Sequence, residues 1–395
     1  MAEQLPDTNY DIPRVILAER VIDKMLRGAL LYPEPETGEA MIGLIAVQTG
    51  RLEPDIYVMD TISPGEQAIR HWGMFEQGSD WQADVFNWLH DNWEAFRDLR
   101  RSSYGSAIAA KWDLPLMHVG DWHKQPGDMT EPSAGDEQTA RDMINDLETP
   151  LQHLVVPIVT MYSLKAAPPA SPKPVLEVAK AEETPAGDEI TTAEDIAADK
   201  AEKAVEETEE VLSPEELLKN PPPSAIVRKL EKEGWIVRID FWYMSKRNKH
   251  LVPVNPVIWP DDRIPALPPV AWHLQHPKRF DQEYDLLTQA GYAVDVVRWD
   301  ADGRPPYEIC FSVYKPGSQH VIVLVTPVDY PVQMPAMRIA PLVNVAEDED
   351  VFEKVYGASK PVLATQMPGW SWDSKRTLIE LVWHLEKFVV EDGKS

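Results

Sequence analysis

One cysteine, Cys310, stands in 395 residues. It excludes an internal disulfide and any multi-cysteine zinc site in this chain, so a metal would have to be held by His and carboxylate side chains. Long apolar runs are also missing. Nothing approaches the roughly 18 consecutive apolar residues of a membrane span, and the opening "MAEQLPDTNYDIPRV" has no basic region leading into an apolar one. The expectation is a cytoplasmic protein with no membrane partner. Basic residues are scarce, with 38 Lys and Arg against 65 Asp and Glu and a net charge of -27. That balance argues against a nucleic-acid partner, because phosphate binding needs clustered cations. There is no internal repeat.

What is present divides the chain. Residues 165–223, beginning "KAAPPASPKPVLEVAKAEE", are rich in Ala, Pro, Glu and Lys and nearly free of aromatics. Such a stretch cannot bury enough apolar surface to offset its ordering entropy. It reads as a disordered, semi-stiff acidic linker between two folded parts. Residues 1–164 carry strand-like and helix-like patterns in alternation, an α/β (α+β) arrangement. The periodicity predicts a short strand, then a helix through Leu31, a strand from Ala40 to Val47, and a helix in "DWQADVFNWLHDNWEAFRDLRRS". In that helix Val85, Trp88, Leu89, Trp93 and Phe96 share one face, a stripe best read as core. "LPLMHVGDWH" and "LVVPIVTMY" read as strands. Residues 224–270, with "PVNPVIWPDDRIPALPP", read as a Pro-rich extended segment packed irregularly on a neighbour. In residues 271–395 a helix is expected in "PKRFDQEYDLLTQAGY", strands in "YEICFSVY" and "HVIVLVTPVDYP", and a closing helix in "SKRTLIELVWHLEKF".

The chemistry concentrates in "GDWHKQPGDMTEPSAGDEQ", Gly120 to Gln138. In a strand, positions 123 and 125 project from one face. The chain then turns and enters a helix, with Ser133 a good N-cap and Asp136 in the first turn. His123, Gln125, Ser133 and Asp136 can therefore surround one point, as a catalytic zinc with three protein ligands and one open position requires.

The spacing resembles the H-x-H-P…S-x-x-D signature of the JAMM (JAB/MPN) metallopeptidases, and the "GDWH" lead-in is similar to that of their prokaryotic members. An upstream "ETGEAMIGL" resembles the family's glutamate segment and places that Glu at Glu36, with Glu39 as the second choice. The resemblance covers about residues 12–163. It implies a mixed sheet with flanking helices and one zinc held by His123, Gln125 and Asp136. It further implies Glu36 as the proton carrier, Ser133 as the oxyanion donor, and a ubiquitin-like protein or its conjugate as substrate. The departure is Gln125, where the family has a second His, and an amide oxygen is a much poorer zinc donor than imidazole. Among possible substitutes, His118 lies an odd number of positions from His123 and points away in a regular strand. Asp121 shares the face but sits further back, so either would need a bulge to serve.

Further on, "YEICFSVYKPGSQHVIVLVTPVDYPVQMPAMRIAP" is similar to the central sheet of the ubiquitin-conjugating (E2) and RWD fold, with Tyr330, Pro331 and Pro335 as its YP..P loop. "WSWDSKRTLIELV", with Trp372 and Thr377, resembles an E2 segment whose thiol nucleophile would lie near Ala364. No cysteine is there, and thioester chemistry needs one. This part is therefore expected to be an inactive E2/RWD-like recognition module, with Cys310 a core residue. His273 and His276 are three apart but have no carboxylate companion, and the structural reading is favoured for both. "MSKRNKH" reads as a solvated turn between strands.

Two functions follow from these resemblances: a zinc-dependent JAMM-type isopeptidase or peptidase (a hydrolase) with a weakened metal site, or a catalytically silent MPN/E2-like scaffold in a conjugation or deconjugation complex with E1/E2-type partners. A partner that donates the missing ligand is a third possibility.

Overall fold

The computed structural model describes residues 12–77, 79–104, 111–147, 151–164, 214–367 and 369–392. Most of the expected acidic linker, 165–213, lies outside the described residues. Its last stretch contains a short helix, α4 (Pro214–Lys219), where a disordered linker was expected.

The first part opens with β1 (Arg14–Ala18) running directly into α1 (Glu19–Leu31). Then come β2 (Thr37–Ala46), β3 (Asp55–Ile62), a small hairpin of β4 (Ile69–His71) and β5 (Met74–Glu76), and α2 (Asp80–Tyr104). The remaining elements before the linker are β6 (Met117–Lys124), α3 (Ala134–Asn145) and β7 (His153–Ser163). Val85, Trp88, Leu89 and Trp93 of α2 are buried, as the stripe predicted, and Phe96 is half-buried.

The segment 224–270 departs from its expectation. It supplies β8 (Ala225–Leu230), β9 (Trp235–Ser245), β10 (Val252–Pro253) and β11 (Pro256–Trp259), all in the sheet of the first part. The sheet order is β10-β9-β7-β6-β2-β3-β1-β11, with β8 also on β9. β9 pairs antiparallel with β7 along its whole length, from His153 opposite Ser245 to Ser163 opposite Trp235, and β11 pairs parallel with β1. β7 is thus an interior strand, which explains its nearly continuous apolar run. Strands β10 and β11 lie at opposite ends of this order but are joined by Val254 and Asn255 alone. Such a link spans no more than roughly 11 Å, so the sheet curls until its two edges approach. Prolines 253, 256, 260 and 265 fall at strand ends and in the connection, where no ladder N–H is needed.

The second part begins with α5 (Trp272–Gln275) and α6 (Pro277–Gln289). An antiparallel meander follows: β12 (Ala293–Trp299), β13 (Glu308–Tyr314), β14 (His320–Thr326), β15 (Ala336–Pro341) and, after α7 (Val351–Ala358), β16 (Lys360–Val362). The chain closes with α8 (Leu378–Asp392). Alternation along β13 and β14 builds two cores. Phe311, Ile322 and Leu324 pack with Leu287 of α6 and Leu378, Leu381 and Leu385 of α8. Cys310, Val321, Val323 and Val325 face Phe352 and Val355 of α7.

Helix α2 joins the two parts. Trp81 Nε1 donates to Leu274 O at 2.6 Å, Trp88 Nε1 to Pro269 O at 3.0 Å, and Asn92 Oδ1 accepts from Tyr307 N at 2.8 Å. Among the described residues no helix is long and apolar enough to cross a membrane.

Candidate functional site

The site forms where β2 begins and β6 ends. The two strands run antiparallel with Thr37 opposite Lys124 and Gly38 opposite His123, which sets Glu36 beside the end of β6. Glu36 is fixed by its N–H, which donates to His71 O of the hairpin at 2.9 Å. On the other side, β6 runs parallel to β7, His123 beside Ile158 and Lys124 beside Val159. Gln125 N extends that ladder by donating to Val159 O at 3.0 Å. After a loop, Ser133 caps α3 as expected. Its Oγ accepts from Asp136 N at 3.2 Å, and the Asp136 carboxylate accepts from Ser133 N at 2.7 Å. This reciprocal cap fixes the Asp136 side chain as well as the helix start.

The fold brings His123, Gln125 and Asp136 into contact. His123 Nε2 lies 3.2 Å from Asp136 Oδ1, and Gln125 Nε2 lies 2.7 Å from Asp136 Oδ2 and 3.4 Å from His123 Nε2. Gln125 is buried, and its Oε1 has no partner. Burial works against the ionised form of Asp136. The hydrogen bond and charge of His123, with those from Ser133, outweigh it and hold the carboxyl below its usual range. Glu36 is moved the other way, up, chiefly by burial; the attraction of His123 opposes that shift and the Asp136 charge adds to it. Two carboxyls in one site are thus pushed apart in acidity, the pattern that separates a resting anion from a proton carrier.

Of these residues, His123 and Asp136 are spaced as two zinc ligands. Two ligand atoms at about 2.0–2.1 Å from zinc stand about 3.3 Å apart, and the 3.2 Å between His123 Nε2 and Asp136 Oδ1 matches that spacing. Gln125 turns its NH2 group, not its oxygen, toward both of them, so no third ligand is presented in this arrangement. Among the described residues, no group of three or more His, Cys, Asp or Glu side chains could hold a metal ion.

The second choice for the glutamate, Glu39, pairs with Trp122 in the β2–β6 ladder. It accepts from Thr61 Oγ1 and lies near Gly28 of α1. It therefore belongs to the opposite face of the sheet, where the Trp122 indole packs against Gly28.

The regular-strand expectation for His118 is corrected. The β2–β6 register shifts between Met41 and Ile42, so that Met41 faces Gly120 and Ile42 faces His118, skipping Val119. This bulge turns His118 onto the face that carries Asp121 and His123. Gly120 has φ +141°, and a Cβ there would lie 1.8 Å from Val155 O, so only glycine fits. His118 Nε2 lies 3.2 Å from Asp121 Oδ1, which also accepts from Gln77 Nε2 at 2.6 Å. Burial of His118 favours the neutral ring, but Asp121 and the Gly120 backbone outweigh it and raise its pKa. The pair is a structural unit in the wall beside the His123 cluster. The "HVGD" run carried a faint sign of it, since a glycine inside a strand often marks a bulge.

Five of these groups border one cleft of about 820 Å³. Glu36, His118, Asp121, His123 and Asp136 supply its polar lining, and Phe75 of the hairpin, Phe86 of α2 and Met143 of α3 supply apolar walls. Ser133, which is exposed, and Gln125, which is buried, are not part of this lining.

In the second part Cys310 is fully buried, and burial pushes its thiol up to about 12. Ala364 begins a short 3-10 turn, and Trp372 Nε1 donates to Pro331 O at 2.8 Å, tying that segment to the YP..P loop. His273 is packed edge-on to Trp88, with ring centroids 5.6 Å apart.

No family model and no curated protein matches the chain. Among solved structures it is similar to the solution structure of protein DSY2949 from Desulfitobacterium hafniense, 17% identical, over 37% of this chain and 74% of that chain, with a TM-score of 0.19. What the geometry defines on its own is a mixed α/β protein with a half-buried His–Asp pair, joined by the buried Gln125, at the side of a cleft.

Proposed function

We propose that the cleft is the active site of a JAMM-type zinc hydrolase that cleaves a peptide or isopeptide bond of a ubiquitin-like modifier or its conjugate, in the cytoplasm. The observation that carries this reading is the convergence of Glu36, His123 and Asp136 on one cleft, with His123 Nε2 3.2 Å from Asp136 Oδ1. His123, Asp136 and the Gln125 carbonyl would hold the ion. Zinc, when bound, supplies Lewis acidity toward a carbonyl and a water. Glu36, with its raised pKa, takes a proton from water and delivers it to the leaving amine. Ser133, beside the cleft at the cap of α3, would be the hydrogen-bond donor to the developing oxyanion that the resemblance implies. Phe75 and Phe86 exclude water and hold an extended chain. The second part acts as an E2/RWD-like recognition module without thioester chemistry, since Cys310 is buried in its sheet and Ala364 stands where the nucleophile would be.

The scaffold reading rests on one observation, the 2.7 Å bond from Gln125 Nε2 to Asp136, which closes the His–Asp pair with an amide. Metal stoichiometry by mass spectrometry separates the two. The hydrolase reading expects about one zinc per chain, lost in Asp136→Ala, and roughly tenfold or more tighter binding in Gln125→His. Absence of zinc from both wild type and Gln125→His selects the scaffold.

A further inference from the structure

We infer that Tyr57, Trp112 and Trp259 form a surface cage for a trimethylammonium group, and that the side chain of Lys111 is a tethered cation occupying the cage until such a group displaces it. This is independent of the reading of the cleft and of any metal.

Three rings distant in sequence meet around one nitrogen. Lys111 Nζ lies 4.5 Å from the ring centroid of Trp112, 4.6 Å from that of Trp259 and 5.6 Å from that of Tyr57. All three are within the roughly 6 Å over which a ring face attracts a cation. The planes meet steeply, Tyr57 to Trp112 at 75° with centroids 5.2 Å apart and Tyr57 to Trp259 at 62° with centroids 5.8 Å apart. They enclose a corner rather than form a stack. Each wall has its own anchor. Tyr57 of β3 pairs with Ile16, and Trp259 of β11 pairs with Ala18, two residues further along β1, so both rings project from one face of the sheet. Trp112 sits in a turn whose next two residues are tied to α2: Arg97 Nε donates to Asp113 Oδ1 at 2.6 Å, and Trp93 Nε1 to Leu114 O at 2.8 Å. Lys111 is exposed, and its departure moves none of these anchors.

The corner suits a quaternary cation better than a lysine. Among the described residues no oxygen accepts a hydrogen bond from Lys111 Nζ; rings alone face it. The charge of Asp55 reaches it, but the two oxygens of that carboxylate are engaged by Arg14 at 2.7 Å and Arg51 at 2.8 Å. Burial first, then the charge of Arg14, lowers the lysine's pKa against the opposing pull of Asp55. A primary ammonium is compact and strongly hydrated, and here it exchanges hydration for ring faces. A trimethylammonium has no N–H to satisfy, keeps its charge at every pH and meets the rings with its methyl groups. Choline and trimethylated lysine share that group, and both are bound elsewhere by aromatic cages of this kind.

The probes are choline, its uncharged isostere with carbon in place of nitrogen, and a short peptide carrying one trimethyllysine. Binding to the full chain is followed by the indole N–H resonances of Trp112 and Trp259, assigned by their loss in Trp112→Phe and Trp259→Phe. Lys111→Ala should bind choline about fivefold more tightly than wild type, because the tethered competitor is gone. In that background Trp259→Leu should weaken binding about tenfold, and the isostere should bind at least about tenfold more weakly than choline. Urea unfolding checks each variant, and Trp112→Leu, in a turn outside the sheet, replaces Trp259→Leu if that chain does not fold. Tighter binding of the peptide than of choline assigns the cage to a methylated protein, and the reverse assigns it to a small quaternary amine. Absence of an indole shift with either probe in folded Lys111→Ala overturns the inference. So does equal binding of the isostere, which makes the corner merely apolar, or equal choline affinity in wild type and Lys111→Ala, which removes Lys111 as its occupant.

Discussion

Two buried clusters, one in each part of the chain, differ in how completely the partners of their central side chains are matched. Around His123 the buried donors and acceptors are incompletely matched: Gln125 Oε1 and Thr160 Oγ1 have no partner, and the raised Glu36 lies in the same cleft as the depressed Asp136. In the meander part the most buried carboxylate is saturated. Glu283 accepts from the Tyr330 hydroxyl, from Leu378 N at 2.7 Å, and from Arg279 at 2.6 Å. It ties α6, the YP..P loop and the start of α8 into one unit. A saturated network specifies structure, whereas a partly matched one next to a cleft is held in reserve for a ligand. Glu283 also has a raised pKa, caused first by burial. A perturbed carboxyl therefore does not mark a site by itself, and the state of its partners separates the two cases.

Breaking each part at its most constrained point tests this comparison. The largest effect is expected at Gly120, where an added Cβ would strike the Val155 carbonyl at 1.8 Å and the φ of +141° is strained for any other residue. Gly120→Ala should destabilise by about 4 kcal/mol or more, read by urea unfolding, because neither backbone can give way inside a sheet. A loss under about 1 kcal/mol would mean that the bulge is soft and that the placing of His118 is incidental. Next comes Glu283→Ala, which strands the Arg279 charge, the Tyr330 hydroxyl and Leu378 N. About 3 kcal/mol is expected. Gln125→Ala near the cleft should cost less than half of that, since one of the amide's own ends is already unmatched. A cost at Gln125 equal to that at Glu283 would erase the distinction.

Much of this was legible in the sequence, for reasons that stop at particular residues. The capping pair Ser133 and Asp136 was readable because a helix cap is local chemistry, and the α2 stripe because a period of 3.6 needs no tertiary information. The sheet was readable only in part. Strands β8 to β11 were obscured by prolines that the fold confines to strand ends, and by a linker whose composition suggested that the chain after it starts anew. β7 was expected to end its part; it lies inside the sheet because β9, some eighty residues later, pairs with it. His118 was misassigned because alternation presumes a regular strand, and the bulge depends on the close approach of Gly120 to Val155, a contact between strands.

The smallest and sharpest prediction concerns the junction. His273, between Trp88 of one part and Phe280 of the other, has its pKa pushed down to about 4 from 6.5, by burial first and then by the charge of Arg298. A base whose folded pKa is lowered stays neutral in the fold while the unfolded chain takes up a proton. Stability is then complete above pH 6.5 and declines as pH falls toward 4. Allowing for the ring's partial access to solvent, the decline attributable to His273 is about 1 kcal/mol per pH unit. His273→Phe keeps an aromatic ring against Trp88 and removes the titration, so its stability should fall less steeply over that window, with a difference in slope approaching one proton. If both parts unfold in one transition that shares this slope, the junction is as firm as the saturated network around Glu283. If the transition splits and only one half carries the slope, α2 joins two units that fold separately, and the contrast between reserve and saturation becomes a contrast between two domains.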